Sequence, residues 1–108
     1  MASRITNVSN FFIRFENGSI MTFDHDSACC EWNYADFEAI DSEALSYDFD
    51  LERLTFKACD GGFRFGDHPE HMFFVPCYSE QNGYYSADVD IYLNGNIVLT
   101  AEGEEVLC

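Results

Sequence analysis

Asp24-His25-Asp26, followed by Cys29 and Cys30, is the densest group of side chains able to hold a metal or move a proton. Thiolate, imidazole and carboxylate all ligate zinc, and a closed structural site needs four such donors in a tetrahedron. His68 and His71, spaced His-x-x-His around Pro69, offer a second pair. If the fold joined the segments, Asp24, His25, Cys29, Cys30 and His71 would supply a small-molecule or zinc-binding module, with His25, Cys29, Cys30 and His71 as the metal set. Two features weigh against it. No Cys-x-x-Cys pair occurs, and adjacent cysteines rarely hold one ion together because their side chains diverge. The structural alternative buries one of the two thiols and leaves the other in polar surroundings.

Cys30 with His25 could also be drawn as a nucleophile and its base. Nothing in the sequence places the third group that would orient the base. Gly-x-Ser-x-Gly, His-Glu-x-x-His, phosphate-loop and Gly-x-Gly-x-x-Gly patterns are absent. Asp88 and Asp90 share one strand face, and a solvated outer face accounts for them more simply than paired catalytic acids. The expectation is a binding protein with no catalysis and no cofactor.

Charge points the same way. Twenty acids against five bases leave a formal charge of −15. Such a chain is repelled by a phosphate backbone and by an anionic membrane, so its natural partner is a basic protein surface. Ten carboxylates and no Lys or Arg fall in 24–52. Solubility is the alternative use of so much charge. At 108 residues, 47% apolar and 17% aromatic, the chain reads as one folded domain spanning 1–108. It starts without a signal-like apolar stretch, and its five cysteines leave one unpaired under any scheme. Both suggest reduced thiols in a cytoplasm.

The elements that must position these groups are strands. Tyr84–Tyr92 alternates with period two, Tyr85, Ala87, Val89 and Ile91 against Ser86, Asp88 and Asp90. Three-residue loops at 81–83 and 93–95 would pair Val75 with Val89 and Ile91 with Ile97, giving a three-stranded meander over 71–101. An earlier hairpin turns at Glu16-Asn17-Gly18, pairing Ile13 with Met21 and Phe11 with Phe23. A third turns at Asp60-Gly61, pairing Ala58 with Phe63 and Lys57 with Arg64. Leu54, Phe56 and Ala58 are expected to face inward, and seven phenylalanines (11, 15, 23, 56, 63, 65 and 73) form the expected core. Phe37, Ile40, Ala44 and Leu45 follow helical spacing and predict a short helix over 35–46, although Cys30, Trp32 and Tyr34 alternate as a strand would. Pro76 predicts an edge or bulged strand, and the tail beyond Glu102 is expected to fray. Tyr side chains interleaved with acids on an outer face suit protein recognition, but packing beneath the 30–50 segment accounts for them better, because a meander must cover at least one face.

Two segments carry a resemblance. Cys29-Cys30-Glu31, preceded by His25, and Asn82-Gly83-Tyr84-Tyr85-Ser86 through Ile91 resemble a family of small uncharacterised bacteriophage domains. The likeness covers about Ile5 to Leu99 and implies origin and fold, with no activity to transfer. The acidity of 24–52 departs from that family's pattern.

The sequence therefore predicts an α+β domain, predominantly antiparallel β: a curved six- or seven-stranded sheet of hairpins with one short helix or irregular acidic segment packed on it. Its expected work is that of a phage-type inhibitor in a host cell cytoplasm, blocking the basic channel of a nuclease or CRISPR-type defence effector as an anti-CRISPR would. Asp36, Glu38, Asp41, Glu43, Asp48 and Asp50 would imitate spaced phosphates. A virion or assembly component, self-associating as a homodimer, is the remaining alternative.

Overall fold

The computed structural model describes residues 2–24, 32–81 and 87–107. The chain begins with β1 (Ala2–Ser3), β2 (Ile5–Val8), β3 (Phe12–Phe15), β4 (Ile20–Phe23) and β5 (Trp32–Ala35). Three 3₁₀ turns follow at Phe37–Ala39, Ser42–Ser46 and Leu51–Arg53, with β6 (Phe49–Asp50) between the last two. Then come β7 (Thr55–Cys59), β8 (Gly62–Gly66), β9 (Phe73–Gln81), β10 (Asp88–Leu93), β11 (Asn96–Glu102) and β12 (Glu104–Leu107). They form two five-stranded sheets and a small β1–β6 pair. The architecture is mostly antiparallel β. The expected single curved sheet and the α+β label are both corrected: among the described residues the longest helical stretch is the five-residue 3₁₀ turn Ser42–Ser46.

The first sheet runs β11-β10-β4-β3-β2. Ile13 lies opposite Met21, as the sequence predicts, with Gly18 at φ 91° closing the three-residue loop. The β10–β11 turn differs. Asn94 (φ 52°) and Gly95 (φ 83°) are both left-handed, so Leu93 lies opposite Asn96 across a two-residue turn. That register alone would face Ile91 with Val98. A bulge between Ile91 and Tyr92 adds one residue, and Ile91 instead meets Leu99 while Val89 meets Ala101. Face parity is restored by the bulge, not by a longer loop, and Ile97 is left exposed. Asn94 also extends the sheet toward β4: its N–H donates to Ile20 O (2.8 Å), and Ile20 N–H donates to its Oδ1 (2.9 Å).

The second sheet runs β12-β9-β8-β7, with β5 also on β9. The Asp60-Gly61 hairpin holds its predicted register, Ala58 opposite Phe63 and Lys57 opposite Arg64. Ala58 is nevertheless exposed and Phe56 only half-buried, because β7 is the last strand of this sheet. Val75 lies opposite Phe63 and Cys77 opposite Ala35. The meander expected over 71–101 is thus corrected: β9 and β10 belong to different sheets. The edge expected at Pro76 is corrected too. Pro76 O accepts from Asp36 N–H (2.8 Å) just beyond the β5 ladder, where a missing N–H is least costly. The tail does not fray at Glu102, since β12 pairs parallel with β9, Glu104 opposite Tyr78. Gly103 allows this passage between sheets: a Cβ there would lie 2.9 Å from the carbonyl carbon of Tyr78.

Residues 36–53 do not form the expected helix. Asp41 accepts from Glu43 N–H (3.0 Å) and Asp50 from Glu52 N–H (3.2 Å), so each aspartate starts a fresh tight turn. With no Lys or Arg from 24 to 52, i,i+4 ion pairs cannot support a longer helix. Phe37, Ile40 and Ala44 still enter the core, whereas Leu45 is exposed. Like Phe37 and Ala44, Phe49 is fully buried. Its ring meets Phe15 edge-on at 5.8 Å, stacks with Phe65 at 5.4 Å and contacts Phe73 at 5.5 Å. It therefore joins both sheets. Phe49→Ala is expected to cost about 3–5 kcal/mol, measured as a shift in the urea unfolding midpoint; a cost under about 1 kcal/mol would remove it from this joining position.

Candidate protein-binding surface

The six predicted carboxylates are placed unevenly. Glu38, Asp41, Glu43 and Asp48 are exposed, while Asp36 and Asp50 are half-buried. Buried Phe37, Ile40, Ala44 and Phe49 alternate with them along the chain, so an anchored backbone holds the acids outward. Some have structural duties. Asp48 accepts from Arg4 Nε at 2.7 Å, which raises the Arg4 pKa through that hydrogen bond. Asp41 and Asp50 cap turns, and Asp50 lies 3.6 Å from Arg53 Nε. Asp36 heads the first 3₁₀ turn without capping it. Glu38 and Glu43 make no side-chain bond among the described residues.

Few cations are spent on these acids. Arg14 lies over the Phe12 ring (5.3 Å) and Arg64 over the Phe74 ring (5.5 Å). Lys57 and Arg64 line a shallow groove with Thr55, Glu70 and Met72. The like-charge pair foreseen across this hairpin is real, and among the described residues no carboxylate bridges it.

An aromatic shelf was not foreseen as a site. Trp32 and Tyr34 alternate on β5 and so share a face, their rings stacked at 4.4 Å. Across the ladder Tyr34 faces Tyr78 and Trp32 faces Glu80, with the two tyrosine rings 5.6 Å apart. Burial pushes the Tyr34 phenol pKa up, and the nearby Glu80 and Asp36 push it further. Phe11, expected in the core, is 50% exposed and stacks on Phe23 at 6.3 Å. Its position is set by Ser9, whose Oγ accepts from the Phe11 and Phe12 amides at 3.2 Å each. Phe11, Phe23, Trp32, Tyr34 and Asp36 line a notch of about 250 Å³ between the two sheets. Alternation of Trp32 and Tyr34 was the one signal the sequence held for it.

His25, Cys29 and Cys30 lie outside the described residues, as do Tyr84 and Tyr85. Asp24 is exposed. His71 packs beside His68 (5.6 Å) and Tyr47 (5.5 Å). Among the described residues no three His, Cys, Asp or Glu side chains converge as metal ligands. Cys77 is buried, and that burial pushes its thiol pKa up to about 12. Asp90, one of the two acids considered on β10, accepts from the Thr100 hydroxyl at 2.7 Å. No helix among the described residues is long and apolar enough to cross a membrane. The chain matches no family model, curated protein or solved structure, so its functional reading rests on its own residues.

Asp67 secures the acidic stretch to the second sheet. It accepts from the Tyr47 hydroxyl and from Asp50 N–H, both at 2.7 Å. Burial alone would raise its pKa, but the Asp50 amide, the Tyr47 hydroxyl, its own amide and nearby His71 together hold it below the usual carboxylate range. A lowered folded pKa means stability that is complete above about pH 4, the unfolded value, and lost as pH falls through the folded one. Asp67→Asn should therefore cost about 1 kcal/mol at neutral pH, allowing for partial exposure. The gap between variant and parent, read from urea midpoints, should narrow as the pH falls below the ordinary carboxylate range and close once Asp67 is protonated. A gap that persists unchanged in acid would disprove the assignment.

Proposed function

We propose that this chain is an acidic protein-binding inhibitor whose carboxylates imitate the phosphates of a nucleic acid and occupy the basic channel of a nuclease or CRISPR-type effector. The observation that carries the reading is the exposure of Glu38, Asp41, Glu43 and Asp48 beside buried Phe37, Ile40, Ala44 and Phe49, within a segment that holds no Lys or Arg from 24 to 52. Rigid display matters, because flexible acids would lose conformational freedom on docking and bind less tightly. Size is compatible: the longest axis of 43 Å spans roughly a dozen steps at the ~3.4 Å rise of duplex DNA. The bacteriophage resemblance supplies a setting in which blocking such an enzyme is useful. Recognition of this kind is steered by charge and screened by salt.

The test is competition. Purified protein should inhibit DNA binding and cleavage by a susceptible effector competitively with duplex DNA, and added salt should weaken it. The charge-reversed variant Glu38→Lys/Glu43→Lys/Asp48→Lys should lose at least tenfold in inhibition while keeping its circular dichroism spectrum. Inhibition indifferent to both salt and charge reversal would refute the proposal, as would inertness against a broad panel of phage-defence nucleases.

A further inference from the structure

We propose that the notch between Phe11 and Trp32 receives the guanidinium of an arginine on the basic partner, making it the anchoring point of the interface; this deepens the binding-protein reading above and rests on it. Both walls are partly exposed, Phe11 at 50% and Trp32 at 40%. Each ring is backed by another, Phe11 by Phe23 and Trp32 by Tyr34, which in turn lies on Tyr78. A guest would thus meet immobilised aromatic surface. A cation over such rings gains from their quadrupole, most strongly over tryptophan. The chain already makes this contact with its own Arg14 and Arg64, over Phe12 and Phe74.

Two carboxylates decide the sign of the guest. Asp36 lines the notch, and Glu80 stands opposite Trp32 across the ladder. Asp36 is the informative one. Asp41 and Asp50, at the head of the other two 3₁₀ turns, spend their carboxylates on capping; Asp36 does not. Its side chain has no hydrogen-bond or ion-pair partner among the described residues, and it is half-buried at the notch lining. A planar guanidinium can stack on a ring and present paired N–H groups to a carboxylate at once, which a lysine ammonium cannot. An aliphatic guest would leave Asp36 desolvated without compensation. A phosphate would be repelled.

The probe is blocked tri-arginine, and Trp32 reports on the notch alone because it is the chain's single tryptophan. Titration should change Trp32 emission saturably, with an affinity matching that from calorimetry. Tri-citrulline, the neutral isostere, should be silent, and tri-lysine should bind more weakly at Trp32. Asp36→Asn and Phe11→Leu should each lower the emission-reported affinity about 3- to 10-fold, while Glu102→Gln, an exposed acid on β11 away from the notch lining, changes it less than twofold. Calorimetric binding with Trp32 emission unmoved would overturn the inference, as would tri-citrulline or tri-lysine matching tri-arginine. Because the probe involves no nuclease, this result separates from that of the inhibitor test: a nuclease blocked through charge with a silent notch defeats the anchor alone.

Discussion

Phe49 is the contact on which the rest depends. A chain whose strands divide between two sheets needs side chains that belong to neither, and Phe49 touches Phe15 of one and Phe65 and Phe73 of the other. Tyr47, 4.7 Å away, widens the junction and ties it through its hydroxyl to Asp67. Large rings suit this position, because edge-on and offset-stacked contacts let one ring satisfy several neighbours at different angles. The acidic segment is thus held from beneath by its own apolar residues.

That arrangement allows the surface to carry its charge. Self-repulsion among twenty acids opposes compaction. The described ion pairs, Arg4 with Asp48 and Arg53 with Asp50, are both solvent-exposed, and exposed pairs offset little of it. Cohesion comes instead from the buried phenylalanines and from turns whose aspartates satisfy backbone amides. Asp41, Asp48 and Asp50 carry charge and hold the fold at once, whereas exposed Glu38 and Glu43 make no side-chain bond among the described residues.

The parts of the fold legible in the sequence are those where two constraints agree. At Gly18 and at Asp60-Gly61 the turn residue and the apolar parity demand one register, and the structure has it. Parity alone misleads, because it fixes which face a residue takes and not which strand lies beside it. Val75 and Val89 satisfy the same pattern while sitting in separate sheets. At Asn94-Gly95 parity was right about Leu99 and Ala101, which a bulge sets opposite Ile91 and Val89, and wrong about Ile97, which is exposed. Phe49 was hidden between two aspartates, and β12 within a run of acids. The acidity of 24–52 could be read from composition. The notch could not, since its walls come from a turn of one sheet and a strand of the other.

The bond between the Asn94 side chain and the Ile20 amide spans 74 positions of sequence. Closing so long a loop costs entropy before any contact rewards it, and β5 on β9 and β1 on β6 are remote partners as well. Local hairpins can flicker into being early, yet neither sheet is complete until distant segments meet. High contact order of this kind places the molecule among the slow, cooperative folders, on the order of milliseconds to seconds, with few pieces able to persist alone.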